Sequence, residues 1–269
     1  MNTNCDDDVL FSVKDHIARI TLNRPQRANA LTPAMMPVLR GIWRRIAEDP
    51  DIRCVVLTAA GQRHFCTGAD LTGVAETGSV GVGSGEVSQE LFLTARQNNV
   101  WKPTVCAVNG VVAGGGLHFV ADADIVIAST SACFIDTHVS IGMVAGVENI
   151  GLAKRLPLGT VLRMTLQGRN FRLSAQRAYM LGLVEEVVSP GELMSTAEAI
   201  ARDITRNSPH AVSLSQQALW SSLEMAYSEA VEHGFGLVKA HRQHADFIEG
   251  PRAFSEGRQP NWTTALANE

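Results

Sequence analysis

Apolar and polar residues alternate through VLFSV and IARITL within residues 9–22, interrupted by Lys14, Asp15 and His16. That period of two predicts a β-hairpin, which Asn23-Arg24-Pro25 ends. Thr32 followed by Pro33 has the form of an N-cap and first helical residue, so a helix is expected from there to about Ala47, before Asp49-Pro50. The unbroken apolar run at 53–58 predicts a strand buried on both faces. Further along, a helix is expected over 86–101, strands over 104–108 and 125–128, and a short helix from the glycine triplet at 114–116 through Ala121. Strand and helix keep alternating as far as LVEEVV at 183–188. Beyond Pro190 the pattern is helical, over 192–206, 209–223 and 225–248. With no sequence repeat and no low-complexity linker, the chain reads as one α/β core with a helical C-terminal third.

Two glycine-centred turns follow buried strands, HFCTGADL at 64–71 and AVNGVVAGGGLH at 107–118. Each glycine in a helix costs about 1 kcal/mol against alanine, so a triplet opening one needs a reason. Bare backbone lets a ligand approach N–H groups at the positive helix end. Two such donors on one oxygen form an oxyanion hole, in which one donor is worth about 3 kcal/mol of transition-state stabilisation. Tight strand–helix packing is the alternative reading. A further glycine-rich stretch at 73–85 lacks the Lys-Ser/Thr pair of a phosphate loop, and is expected to be a surface loop or lid.

Composition narrows the class. Of 269 residues, 45% are hydrophobic and 19% charged, enough apolar side chains for a sizeable core and too many for a disordered chain. A net charge of −4 argues against nucleic acid and against a basic membrane-binding face. Among the basic residues only Lys14, Lys102, Lys154 and Lys239 are lysines; the arginine majority suits bidentate contacts to phosphate or carboxylate. Five scattered cysteines without a CxxC pair, an acidic N-terminus and no membrane-length apolar run predict a cytoplasmic protein with reduced thiols.

Three segments, NRPQRANAL at 23–31, FCTGADL at 65–71 and AVNG…GGG at 107–116, resemble the hallmark segments of the crotonase (enoyl-CoA hydratase/isomerase) superfamily. LQG at 166–168, Ser174-Ala175 with Gly182-Leu183-Val184, and DFIEG at 246–250 with Ala253, Phe254 and Arg258 resemble its later segments in order. The resemblance implies an α/β fold, the crotonase (ClpP-like) spiral of ββα units. Residues 1–190 would form the core with the acyl-CoA site, and 191–269 a helical trimerisation region of the same unit. It further implies a homotrimer or dimer of trimers, an acyl-CoA thioester as substrate, and neither metal nor redox cofactor. By position, the N–H groups of Ala69 and Gly115 would hold the thioester oxygen. Arg27, Ala28, Ala69, Asp70 and Leu71 would line the CoA channel, with Arg24 a further candidate for its phosphates, while Phe254 and Arg258 would reach CoA on a neighbouring subunit.

The chain departs from the family pattern where proton transfer occurs. Hydratases of the family carry glutamate two residues after the glycine triplet and again in a Pro-Glu pair; here these positions hold His118 and, after Thr137, His138. Gly146 stands where dienoyl-CoA isomerases and aryl-CoA dehalogenases carry aspartate. Two histidines on both acid/base positions point to imidazole-mediated proton transfer. Asp136 is expected to share a strand face with His138 and orient it. Glu148 is either a third acid/base member or an ordinary first-turn glutamate. The expected activity is therefore enoyl-CoA hydratase/isomerase chemistry with altered acid/base groups. The alternatives are a retro-Claisen hydrolase of a cyclic β-diketone or ketoacyl-CoA, and a non-catalytic CoA-thioester-binding subunit. His118 and His138 lack the third ligand of a zinc site, Cys66 has no adjacent base, and His241 and His244 read as surface or subunit-contact residues.

Overall fold

The computed structural model describes residues 8–263 apart from 73, 74, 76, 77 and 79–84. Most of the expected lid at 73–85 therefore lies outside the described residues. The predicted hairpin forms: β1 (Val9–Lys14) pairs antiparallel with β2 (Ile17–Leu22), Val9 opposite Leu22. Asp15 and His16 turn between them with φ of 51° and 65°, the doubly left-handed geometry that matches strand twist.

Helix α1 (Met35–Glu48) begins later than expected. Ala34, not Thr32, flanks it, and Thr32 contributes only its carbonyl to the Met35 N–H, so Pro33 belongs to the preceding turn. Met35, Leu39, Ile42, Trp43 and Ile46 make one buried stripe of helical period. Strand β3 (Cys54–Ala59) is buried throughout and is followed by β4 (His64–Cys66).

The helix expected over 86–101 is cut to α2 (Val87–Glu90). Side chains compete with the helix for backbone partners there: the Asn98 amide donates to the carbonyls of Phe92 and Thr94, and Gln97 accepts the Leu93 N–H. Asn99, at φ 54°, ends the single 3-10 turn Arg96–Asn98.

Then come β5 (Thr104–Val108), β6 (Val111–Ala113), a 3-10 turn over Gly114–Gly116, and α3 (Leu117–Ala121). β7 (Ile125–Ser129) and β8 (Cys133–Ile135) lead to α4 (Glu148–Ala153) and α5 (Leu158–Gln167). β9 (Leu173–Ser174), α6 (Ala175–Met180) and β10 (Glu186–Val188) follow; the last strand is shorter than the apolar run at 183–188 suggests.

The strands divide into a six-stranded sheet, β1-β2-β3-β5-β7-β10, and a four-stranded sheet, β4-β6-β8-β9. β3/β4, β5/β6, β7/β8 and β9/β10 each place one strand in each sheet. The repeat is thus structural rather than sequential, and it is the spiral that the resemblance implies. One core cluster fills the space among the two sheets, α1 and the inner helices. On the outer face of the large sheet, Leu193, Ala197 and Ala201 of α7 (Leu193–Thr205) cover Cys54, Val56, Val105, Ala107 and Ile127.

Helices α8 (Pro209–Ser221), α9 (Tyr227–His241) and α10 (Asp246–Glu256) complete the chain. The helix expected over 225–248 is two helices. The buried Asp246 carboxylate accepts the Ser208 hydroxyl and the Thr263 N–H, which pins the chain where α9 would otherwise continue. No helix of the described residues is long and apolar enough to cross a membrane.

Candidate active site

A parallel β-bridge joins the turn after β4 to the loop before α1. Leu31 N–H donates to Gly68 O at 2.8 Å and Asp70 N–H donates to Leu31 O at 2.9 Å. These bonds use the groups flanking Ala69, so the Ala69 N–H projects to the opposite side. Gly68 has φ 84°, and a Cβ there would lie 2.9 Å from Gly115 N. Any side chain at 68 would therefore close over the second donor. Gly115 is in the first turn of the Gly114–Gly116 segment, where backbone N–H groups have no intrahelical acceptor. A Cβ on Gly116 would collide with the Cys66 carbonyl, so this member of the triplet serves close packing. The packing reading of the triplet thus holds at Gly116.

The loop carrying Ala28 is strained. Ala28 and Asn29 adopt φ of 53° and 52°, a region that costs a non-glycine residue energy. Buried Asn29 offsets this by donating to Ala60 O and His64 O and accepting the Arg24 N–H, each within 2.9 Å.

Ala69 and Gly115 both border an inner cavity of about 620 Å³, apolar through Leu31, Met36, Leu91, Leu93 and Met143. Its polar end brings together His118, His138 and Glu148, the three side chains singled out from sequence. Glu148 stands between the imidazoles: Oε2 is 3.4 Å from His118 Nε2 and Oε1 is 3.1 Å from His138 Nδ1. His118 is buried in the first turn of α3. The Gln97 amide nitrogen donates to its Nδ1 at 3.2 Å, so the proton of neutral His118 sits on Nε2, facing Glu148. Burial, with the nearby His138 charge, lowers its pKa to about 4.

His138 is tuned the opposite way. The Asp136 hydrogen bond at Nδ1, 2.8 Å, raises its pKa against the effect of burial, and the charges of Glu148 and Asp136 add to the rise. Asp136 does orient this imidazole, but not from a shared strand face. β8 ends at Ile135, and Asp136 closes a turn by also accepting the His138 N–H at 2.9 Å. Asn149 and His138 together satisfy the fully buried Asp136: its second oxygen takes the Asn149 amide at 2.5 Å, and that amide also donates to Thr165. Burial raises the Asp136 pKa, but these donors outweigh it and leave the carboxyl below its usual range. Burial raises Glu148 likewise, opposed by its own N–H and by His138, and the net shift stays upward. Its Oε1 is buried without a hydrogen bond.

An outer cavity of about 900 Å³ adjoins the inner one at Ala69 and is lined by Arg27, Ala28, Asp70 and Leu71, four of the residues expected along a CoA channel. Arg24 does not suit phosphate: it donates to Ala30 O at 2.6 Å and is tied to Asp70 and Asp8. Arg27 is half exposed, bound to Asp70 and Thr72. Arg63 and Arg169, which sequence reasoning missed, also line this cavity. Gln97 and Asn149 were missed as well. Asn149 had a signal, since it adjoins Glu148; Gln97 lay inside a stretch read as plain helix. Phe254 and Arg258 are not brought to either cavity within one chain: Phe254 is 89% exposed and Arg258 is forked onto Glu249. Cys66 is buried with its thiol pushed up to about 12, unsuited to nucleophilic attack.

Known proteins resemble this chain over nearly its whole length. The enoyl-CoA hydratase/isomerase family model matches residues 12–265. The (E)-benzylidenesuccinyl-CoA hydratase of Thauera aromatica is 34% identical over 258 residues, 94% of this chain and 97% of the relative. The carnitinyl-CoA dehydratase of Proteus mirabilis is 32% identical over 267 residues, with the same coverage. The crystal structure of an enoyl-CoA hydratase/isomerase from Mycobacterium paratuberculosis superposes with a TM-score of 0.89 at 39% identity, covering 96% of this chain and 99% of that one.

Proposed function

The chain belongs to the enoyl-CoA hydratase/isomerase family, and on that premise we propose that it adds water to, or removes it from, an acyl-CoA thioester using a Glu148–His138 pair. The observation that carries this is Glu148 wedged between His118 Nε2 and His138 Nδ1 at the polar end of a cavity bordered by Ala69 and Gly115. The family's usual carboxylates are replaced by imidazoles, and one carboxylate enters from α4 instead. Hydration or dehydration is the reaction named for both curated relatives.

In the hydration direction, Glu148 takes a proton from water as the water oxygen bonds to the β-carbon of a conjugated enoyl thioester. The displaced π electrons move to the thioester oxygen, where the Ala69 and Gly115 N–H groups stabilise the charge. His138, its Nδ1 engaged by Asp136, gives the proton on Nε2 to the α-carbon. Neutral His118 donates from Nε2 toward Glu148 and holds the carboxylate in place. Both proton carriers then re-equilibrate with solvent. Arg27, Arg63 and Arg169 would receive the CoA phosphates in the outer cavity.

The test is incubation with saturated, enoyl, dienoyl and ketoacyl-CoA thioesters followed by mass analysis. Gain of one water by an enoyl-CoA supports the reading. Cleavage of a ketoacyl-CoA with solvent oxygen in the product would replace it with a retro-Claisen hydrolase. Binding of all four without turnover would replace it with a non-catalytic CoA-binding subunit.

A further inference from the structure

His241 and His244 are not surface residues apart. The fold sets a third imidazole, His210, against them. His210 sits in the first turn of α8, His241 ends α9, and His244 lies in the turn leading to α10. All three are half-buried, and one ring nitrogen from each lies within 4.8 Å of those of the other two. His210 stacks on His244 with centroids 4.0 Å apart and planes 6° from parallel. His210 Nδ1 and His241 Nδ1 are 2.8 Å apart, so at least one presents a lone pair rather than a hydrogen. None of the three borders either cavity of the acyl-CoA site.

We propose that His210, His241 and His244 form a binding site for one zinc-type divalent metal ion, with a fourth position open to water. Zinc–imidazole bonds of about 2.0–2.1 Å place tetrahedral donor atoms about 3.4 Å apart. Ring nitrogens of the three lie from 2.8 Å to at most 4.8 Å apart, a range that spans that value, and binding requires the near-parallel His210 and His244 rings to turn so that their in-plane lone pairs converge. An all-imidazole set selects zinc, cobalt, nickel or copper over calcium and magnesium, which want oxygen. The Asp246 N–H donates to His244 Nδ1 at 3.2 Å and holds that ring beside the other two, and Asp246 is itself fixed by Ser208 and Thr263. The ion would tie the start of α8 to the end of α9 and to the root of α10, a structural clip independent of the reaction.

The experiment uses the full chain without an affinity tag, stripped with chelator. It is titrated with Co²⁺ while ligand-field absorption is followed, and with Zn²⁺ by calorimetry. One equivalent per chain is expected, with the intense bands of a four-coordinate nitrogen site, displaced by Zn²⁺. His118→Ala should keep that equivalent, while His210→Ala should lose it. His241→Phe retains a stacking ring without a donor nitrogen, so it should fold, melt as the metal-free parent does and bind nothing. Absence of saturable uptake by the parent would overturn the site and leave a packed imidazole stack. So would uptake by folded His241→Phe equal to the parent's, or its loss in His118→Ala. None of these results depends on acyl-CoA turnover.

Discussion

Glu148 is the residue on which the proposed chemistry turns. An ordinary first-turn glutamate would point its charge into solvent near the helix end; this one is 5% exposed and meets two imidazoles. Glu148→Gln keeps the volume and removes the proton acceptor, so kcat should fall about 10²–10⁴-fold with the melting temperature unchanged or slightly higher. Steady-state kinetics beside a thermal melt would check this; activity within threefold of the parent would assign the base elsewhere. The pH profile follows from the two shifts. Burial raises the Glu148 pKa, so the acid limb of kcat should lie above the ordinary carboxylate value of about 4.3. His138 is raised, so its imidazolium persists past about pH 6.5 and the alkaline limb lies above that value. Asp136→Asn removes the first cause of that rise, so the alkaline limb should move to lower pH; the Asp136 charge also contributes to the Glu148 rise, as its smallest cause, so the acid limb should shift down by less. Stability carries matching signs. The raised His138 contributes below about pH 6.5 and loses its contribution as pH rises through the folded value; the depressed Asp136 contributes above about pH 3.9 and loses its contribution as pH falls through its folded value.

Among the elements, the turn at 67–71 and the Gly114–Gly116 segment pack directly against each other. Gly68→Ala puts a methyl group 2.9 Å from Gly115 N at a positive φ. We expect a loss of one oxyanion donor, about 10²–10³-fold in kcat, with about 1–3 kcal/mol of destabilisation from backbone strain. Rate and denaturant midpoint measured together would show whether the two losses occur jointly, and a fully active Gly68→Ala would refute the placement of the donor. This pairing was legible in sequence because bare glycines after buried strands have few uses, and the family resemblance named which two N–H groups to join. The hairpin, β3 and α7 were legible for a simpler reason: their apolar periods match the surfaces they cover. Residues 86–101 were not, because Gln97 and Asn98 spend their side chains on local backbone groups, and composition alone does not show that choice. The split near 242–245 escaped for a related reason. Asp246 is pinned by Ser208, thirty-eight positions earlier, and a helical period carries no sign of such a contact.

For the molecule as a whole, the C-terminal helices expose more apolar surface than a lone chain needs. Leu219, Val231, Phe235 and Val238 on α8 and α9 are each about half exposed or more, as are Ile248 and Phe254 on α10. Such a surface marks an interface, and a second and third copy of this chain are the expected occupants. Light scattering should then give three or six times 28.9 kDa. A trimer also gives Phe254 a task that it lacks within its own chain, packing beside CoA bound to a neighbour. Arg258 is less free for that task, because Glu249 and Glu256 already occupy its guanidinium. Fully burying the phenylalanine side chain contributes about 1.5–3 kcal/mol, so Phe254→Ala should raise KM at least tenfold with kcat nearly unchanged. If the tail serves a neighbour, two crippled chains should repair each other. A Phe254→Ala subunit retains its own Glu148, and beside a Glu148→Gln subunit it borrows an intact tail. Unfolding the two variants together and refolding them should restore low-KM activity in a fraction of the sites, whereas mixing them as preformed oligomers should not. Recovery absent from refolded mixtures that demonstrably contain both chains would remove Phe254 from a neighbour's site.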